Sequence, residues 1–113
     1  MTRLDAYTFH EGFAHLLSYQ ATEIDCVDWH TPQLTEVAAA SRAKLRLALT
    51  ETDTDRQKQF LEEAVCGSYY EKFACMCGML YLADRWETQG IDGLQSAFAD
   101  YHGFAQRALS IRI

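Results

Sequence analysis

The sequence predicts an all-α fold, a compact bundle of four to five helices that forms a single domain over residues 1–113. One proline and six glycines in 113 residues leave long stretches without a helix breaker. Apolar side chains recur at three- and four-residue steps, the spacing of a helix with one buried face. The composition, with 49% hydrophobic and 23% charged residues, is typical of a globular protein with one core.

The first helix is predicted over residues 4–20, where leucines and aromatic residues supply the buried face. Gly12 lies within this helix and is expected to weaken it by about 1 kcal/mol relative to alanine. The residues that follow, 21–30, alternate apolar and acidic side chains. Because a single strand would have no partner, we expect an ordered loop there.

The second and third helices have recognisable starts. Thr31 can cap free N–H groups and Pro32 has no N–H to leave unpaired, so the second helix is predicted to begin here and to end near Leu49. Thr54 and Gln57 match a capping box, in which side chains satisfy the free backbone donors of a first turn. The third helix is therefore predicted with Thr54 as its cap.

A helix break is predicted at Gly67-Ser68. Glycine readily adopts the left-handed backbone conformation that commonly ends a helix. Ser68 with Glu71 forms a second capping box that would start another helix. The alternative is one continuous helix from Asp55 to Trp86, because a single glycine costs only about 1 kcal/mol and the apolar positions continue. We favour the break.

The fourth helix is predicted to end near Glu87, where Gln89-Gly90 supplies a stop. Asp92 is the expected cap of the last helix. The apolar residues of that helix fall on one stripe, which predicts one uninterrupted helix through Leu94, Ala97, Phe98, Tyr101, Ala105 and Ala108.

Four cysteines and four histidines raise the question of a metal site. Cys26 and His30 could join Cys75 and Cys77 in a Cys₃His set, which would supply the four ligands of a structural zinc site. The usual Cys-x₂-Cys spacing is absent, however, and on a helix Cys75 and Cys77 point about 200° apart. We therefore expect buried thiols, no metal and no cofactor.

His10, Glu11 and His15 resemble the zinc motif HExxH, but their spacing excludes it. In that motif the histidines are four residues apart on one helix face, whereas here they are five apart and diverge by about 140°. An ordinary surface contact is expected between Glu11 and His15. No phosphate loop, dinucleotide-binding pattern or nucleophile elbow occurs, so no catalytic residue is predicted.

The formal net charge of −6 is unevenly distributed. Arg42, Lys44 and Arg46 form a short basic segment, whereas residues 51–63 are mostly acidic. The overall acidity argues against direct nucleic-acid binding, because it repels a phosphate backbone. A basic protein partner is favoured electrostatically, and the predicted protein-binding residues are Glu51, Asp53, Asp55, Glu62 and Glu63.

The leading functional hypothesis is a non-enzymatic regulator, adaptor or inhibitor that binds another protein through a helical, partly acidic surface. A homodimer formed through the fourth or the last helix is one version of it. The alternative is an enzyme, or a protein that binds a small ligand or metal, using His10, His102 or a cysteine in a pocket between helices. The N-terminus lacks a secretion signal, so we expect a cytoplasmic protein. The longest run of uncharged residues is eleven, so we expect no membrane-spanning helix.

Overall fold

A long helix, α4 (Phe73–Ala99), runs through the centre of the molecule. The computed structural model describes residues 2–99 and 102–110, and in it residues 73–80 of α4 are all buried. The described residues contain no β-strand, which confirms the all-α prediction, and the radius of gyration is 13.1 Å. Four further helices surround α4: α1 (Thr2–Ser18), α2 (Pro32–Thr50), α3 (Thr54–Val65) and α5 (Phe104–Ala108).

The most extensive packing joins α1 to α4, and glycines lie at the contact. A Cβ added to Gly12 would lie 2.6 Å from Gly78 Cα, and one added to Gly78 would collide with the carbonyl oxygen of Thr8. The two backbones can touch only because neither residue has a side chain. The cost of Gly12 in helix propensity is therefore offset by close packing of the two helices.

Asp5, on α1, caps α5 from across the molecule. Its buried carboxylate accepts hydrogen bonds from the backbone N–H groups of Gly103 and Ala105, each at 3.0 Å. These donors belong to the first turn of α5 and have no acceptor within that helix. Because a helix of five residues is not stable alone, α5 depends on α1 for its formation.

The starts of α2 and α3 are close to those predicted, with one change of cap. Thr31 caps α2 as predicted, and its Oγ1 accepts a hydrogen bond from Leu34 N at 3.2 Å. The cap of α3 is Asp53 instead of Thr54, since Asp53 Oδ2 accepts a hydrogen bond from Arg56 N at 3.0 Å. A carboxylate at this position also interacts favourably with the helix dipole, which a threonine cannot do.

The predicted break at Gly67 is confirmed, and the alternative of one continuous helix is wrong. α3 ends at Val65, Gly67 has a φ of +104°, and a 3₁₀ turn at Tyr69–Glu71 precedes α4. The side chain of Ser68 makes no capping hydrogen bond. The predicted capping box therefore does not start α4.

The last helix of the prediction is divided in the structure. The predicted stop at Gln89-Gly90 is confirmed, because Gly90 has a non-helical φ of +60° and divides α4 into two helical parts. A second residue with positive φ, Gly103, precedes α5 and lets the chain fold back onto α1. The apolar stripe is therefore shared between two helices, and Tyr101, one of its predicted members, lies outside the described residues.

The segment between α1 and α2 is an ordered loop, as predicted. It contains two 3₁₀ turns, Tyr19–Ala21 and Ile24–Cys26, and the buried side chain of Trp29. Trp86, on α4, anchors it by donating a hydrogen bond from Nε1 to Asp25 Oδ1 at 2.7 Å. Ile24, Val27 and Trp29 of this loop thus pack against the core of the helical bundle, whereas Cys26 is exposed.

Candidate functional site

A groove with a volume of 420 Å³ lies between α2 and α3. Its lining includes Ala40, Ala43 and Leu47 from α2 and the ring of Phe60 from α3. Phe60 is only 8% exposed, whereas Leu47 is 61% exposed. The groove therefore presents small side chains beside a large apolar one that the core does not cover.

The two basic residues that line this groove are both paired with acids. Lys44 Nζ lies 2.8 Å from Glu63 Oε1, and the Arg56 guanidinium pairs with Glu51. Both pairs lie at the surface, where an ion pair contributes at most about 1 kcal/mol to stability. Pairing nevertheless leaves little free positive charge in the lining of the groove.

The five predicted protein-binding acids do not share one surface. Glu63 lines the groove and Glu51 reaches its edge through Arg56. Asp53 caps α3, and Asp55 is exposed in the first turn of the same helix. Glu62 lies apart from them, in a separate cleft formed by α1 and α3. It shares this cleft with four residues, two of which are basic: Arg3, Tyr7, Lys58 and Leu61.

The four zinc candidates from the sequence lie in different places. Cys26 is exposed in the second 3₁₀ turn, and His30 Nε2 lies 2.7 Å from Glu87 Oε1. Cys75 and Cys77 are buried in α4, as expected for core thiols. Burial raises the pKa of Cys77 to about 12. The structure thus does not bring this Cys₃His set together.

A different set of ligand-type side chains meets between α1 and α4. Glu11, His15 and Cys75 each offer one ligand atom, and these atoms lie within 4.8 Å of one another. Glu11 and His15 are half-buried, whereas Cys75 is fully buried. Within residues 2–99 and 102–110, no other trio of His, Cys, Asp or Glu has this spacing. We call these three residues the Glu-His-Cys cluster.

The thiol of this cluster is held in its neutral form. Burial and, to a smaller extent, the negative charge of Glu11 raise the pKa of Cys75 to about 11, while Lys72 opposes the shift. Cys66, at the C-terminal end of α3, has a smaller effect in the same direction as Glu11. The Cys75 Sγ atom lies 3.6 Å from the carbonyl oxygen of Ala64, to which the S–H group can donate.

A buried, neutral thiol is poorly suited to nucleophilic catalysis, which needs an accessible thiolate. Cys75 has no exposed surface, whereas the neighbouring Glu11 and His15 are half-buried. The other histidines of the enzyme hypothesis, His10 and His102, are exposed and do not belong to the cluster. A metal ion would likewise have to displace the thiol proton before Cys75 could act as a ligand.

Comparisons with known proteins place no further constraint on the function. No protein family, curated protein or solved structure matches this chain. None of the described helices has both the length and the apolarity to cross a bilayer. The functional interpretation therefore depends on the groove and on the Glu-His-Cys cluster.

Sequence reasoning named Glu63 as a protein-binding residue, but it did not find the apolar lining of the groove or the meeting of Glu11 and His15 with Cys75. A second apolar stripe runs along the predicted second helix at three- and four-residue spacing: Ala40, Ala43 and Leu47. This stripe, which lies beside the stripe that faces the core, could have indicated the groove. The four-residue spacing of Glu11 and His15 was visible, but no local pattern links them to Cys75, which is 60 residues further along the chain.

Proposed function

We propose that this protein is a non-enzymatic binding module that receives an amphipathic helix of a basic partner protein in the α2–α3 groove. The observation that carries the proposal is the exposure of Leu47, 61%, beside Ala40 and Ala43. Small side chains allow a helix to approach closely. Covering Leu47 would contribute on the order of 1 kcal/mol to binding, or about fivefold in Kd.

The negative charge of residues 51–63 and of the whole chain favours a basic segment over an acidic one at long range. Residues 51–63, which include most of α3, hold five acids against Arg56 and Lys58. The groove's own bases, Lys44 and Arg56, are already neutralised by Glu63 and Glu51. A helix with apolar anchors along one face and flanking Lys or Arg side chains would complement both features.

A displayed library of helical peptides tests this proposal. Peptides selected on the wild-type protein should carry apolar anchors at helical spacing, flanked by Lys or Arg. Leu47→Glu should weaken their binding at least about tenfold, because it places a charge against the apolar anchors. Leu17→Glu is the matched control, since Leu17 is 62% exposed on α1 and does not line the groove. It should leave binding unchanged.

Two results would contradict the proposal. One is a selection without enrichment of basic, amphipathic peptides, or with binding that Leu47→Glu and Leu17→Glu affect equally. The other is self-association in sedimentation equilibrium that Leu47→Glu abolishes and Leu17→Glu does not. That second result would assign the groove to another copy of this chain instead of a basic partner.

A further inference from the structure

We propose that the Glu-His-Cys cluster is a binding site for one zinc ion. Sulfur, nitrogen and carboxylate oxygen together suit Zn²⁺, whereas Mg²⁺ and Ca²⁺ prefer oxygen ligands alone. The site lies in the interface between α1 and α4, about one helical turn from the contact of Gly12 with Gly78. This inference is independent of the α2–α3 groove.

The distances within the cluster are compatible with a zinc ion. Ligand bonds of about 2.0–2.3 Å in a tetrahedral site place neighbouring ligand atoms about 3.3–3.8 Å apart. The ligand atoms of Glu11, His15 and Cys75 already lie within 4.8 Å of one another. Side-chain rotations of the half-buried Glu11 and His15 can close the difference, while Cys75 stays fixed in the core. Binding of Zn²⁺ displaces the proton of the Cys75 thiol, which is released to solvent.

The hydrogen bond of His15 is compatible with metal binding through Nε2. Its Nδ1 atom lies 2.6 Å from the backbone carbonyl oxygen of Glu11. A carbonyl oxygen can only accept, so Nδ1 carries the proton and Nε2 of the neutral ring has a free lone pair. A backbone carbonyl that accepts from the other ring nitrogen is the usual second partner of a zinc-binding histidine.

The helix packing holds the ligands at a fixed separation. Glu11 is adjacent to Gly12, and Cys75 lies three residues before Gly78 on α4. Because these glycines bring the two backbones into contact, α1 cannot slide along α4 without a steric clash. A zinc ion would therefore meet ligands that folding has already positioned, and less ordering would be required on binding.

Titration of the reduced, full-length protein with Co²⁺ tests the site, because Co²⁺ takes the place of zinc and reports thiolate ligation by its colour. We expect one equivalent to bind with a thiolate-to-cobalt charge-transfer band, and Zn²⁺ to displace it. His15→Gln, Glu11→Gln and Cys75→Ala should each weaken binding at least about 100-fold. Cys26→Ser and His30→Gln are matched controls from the zinc candidates outside the cluster and should bind as the wild type does.

Three results would overturn the proposal: no charge-transfer band in the wild type, a band that persists in His15→Gln and Cys75→Ala, or a band lost in Cys26→Ser or His30→Gln. Cys75 is buried, so its variant requires a circular-dichroism check of folding. The half-buried Glu11 and His15 variants test the site without changing the core.

Discussion

The α1–α4 interface and the α2–α3 groove use small residues in opposite ways. In the interface, Gly12 and Gly78 bring two backbones into contact and exclude everything between them. In the groove, Ala40 and Ala43 leave open space beside the exposed Leu47. The comparison indicates that stability is concentrated in the interface, while the groove can change with little effect on folding. Substitutions in each region test that difference.

Gly78→Ala should have the largest effect. Its new methyl group would collide with the backbone carbonyl of Thr8, which cannot move away as a flexible side chain could. We expect a loss of more than about 3 kcal/mol in the free energy of unfolding, measured with urea. Gly67→Ala is the control, because its methyl group meets open space and its cost is limited to about 1–3 kcal/mol of backbone strain at a φ of +104°. Equal losses in the two variants would refute the steric account of the interface.

Leu45 and Leu47 provide a matched pair on α2. Leu45 has no exposed surface, and Leu45→Ala should lower the free energy of unfolding by about 3 kcal/mol through loss of buried area and formation of a cavity. Leu47→Ala should change it by less than about 0.5 kcal/mol, because Leu47 is 61% exposed. Thermal and chemical unfolding measure both values. A large loss for Leu47→Ala would show that the groove is part of the folding core.

The two aspartate caps, Asp5 for α5 and Asp53 for α3, should contribute unequally to stability, because Asp5 is buried and Asp53 is exposed. Asp5→Ala leaves the N–H groups of Gly103 and Ala105 without their acceptor in a buried setting, at a cost of about 2 kcal/mol. Asp53→Ala removes an exposed cap of α3 and should cost about 1 kcal/mol. Hydrogen exchange should accelerate in α5 for the first variant and in the first turn of α3 for the second. Unchanged exchange in α5 would contradict its dependence on Asp5.

The smallest expected effect concerns the ion pair between Lys44 and Glu63. Both side chains are about two-fifths exposed, at 40% and 38%. Lys44→Gln should therefore lower stability by less than about 1 kcal/mol, and the difference from wild type should shrink in 1 M salt, where charges are screened within about 3 Å. A loss of stability that persists in high salt would mean that Lys44 stabilises the fold by packing instead of by its ion pair. The Phe73 ring, whose centroid lies 5.8 Å from Lys44 Nζ, is the contact that would explain such packing.

Local signals predicted much of the fold. Thr31-Pro32 marked the start of α2 and Gly67 marked the end of α3, because both signals act within one helical turn. The cap of α3 was misplaced by one residue, since Asp53 and Thr54 can both accept the same kind of hydrogen bond. The uninterrupted last helix was wrong because Gly103 turns the chain toward Asp5, about 100 residues away in the sequence.

The sequence by itself determined which segments are helical and which face of each helix is apolar, because helix propensity, capping and periodicity are properties of near neighbours. Only the tertiary structure decided that Gly12 meets Gly78, that His15 meets Cys75 and that Leu47 stays uncovered. These outcomes depend on how whole helices pack, and packing depends on side-chain shapes that are distant in the chain.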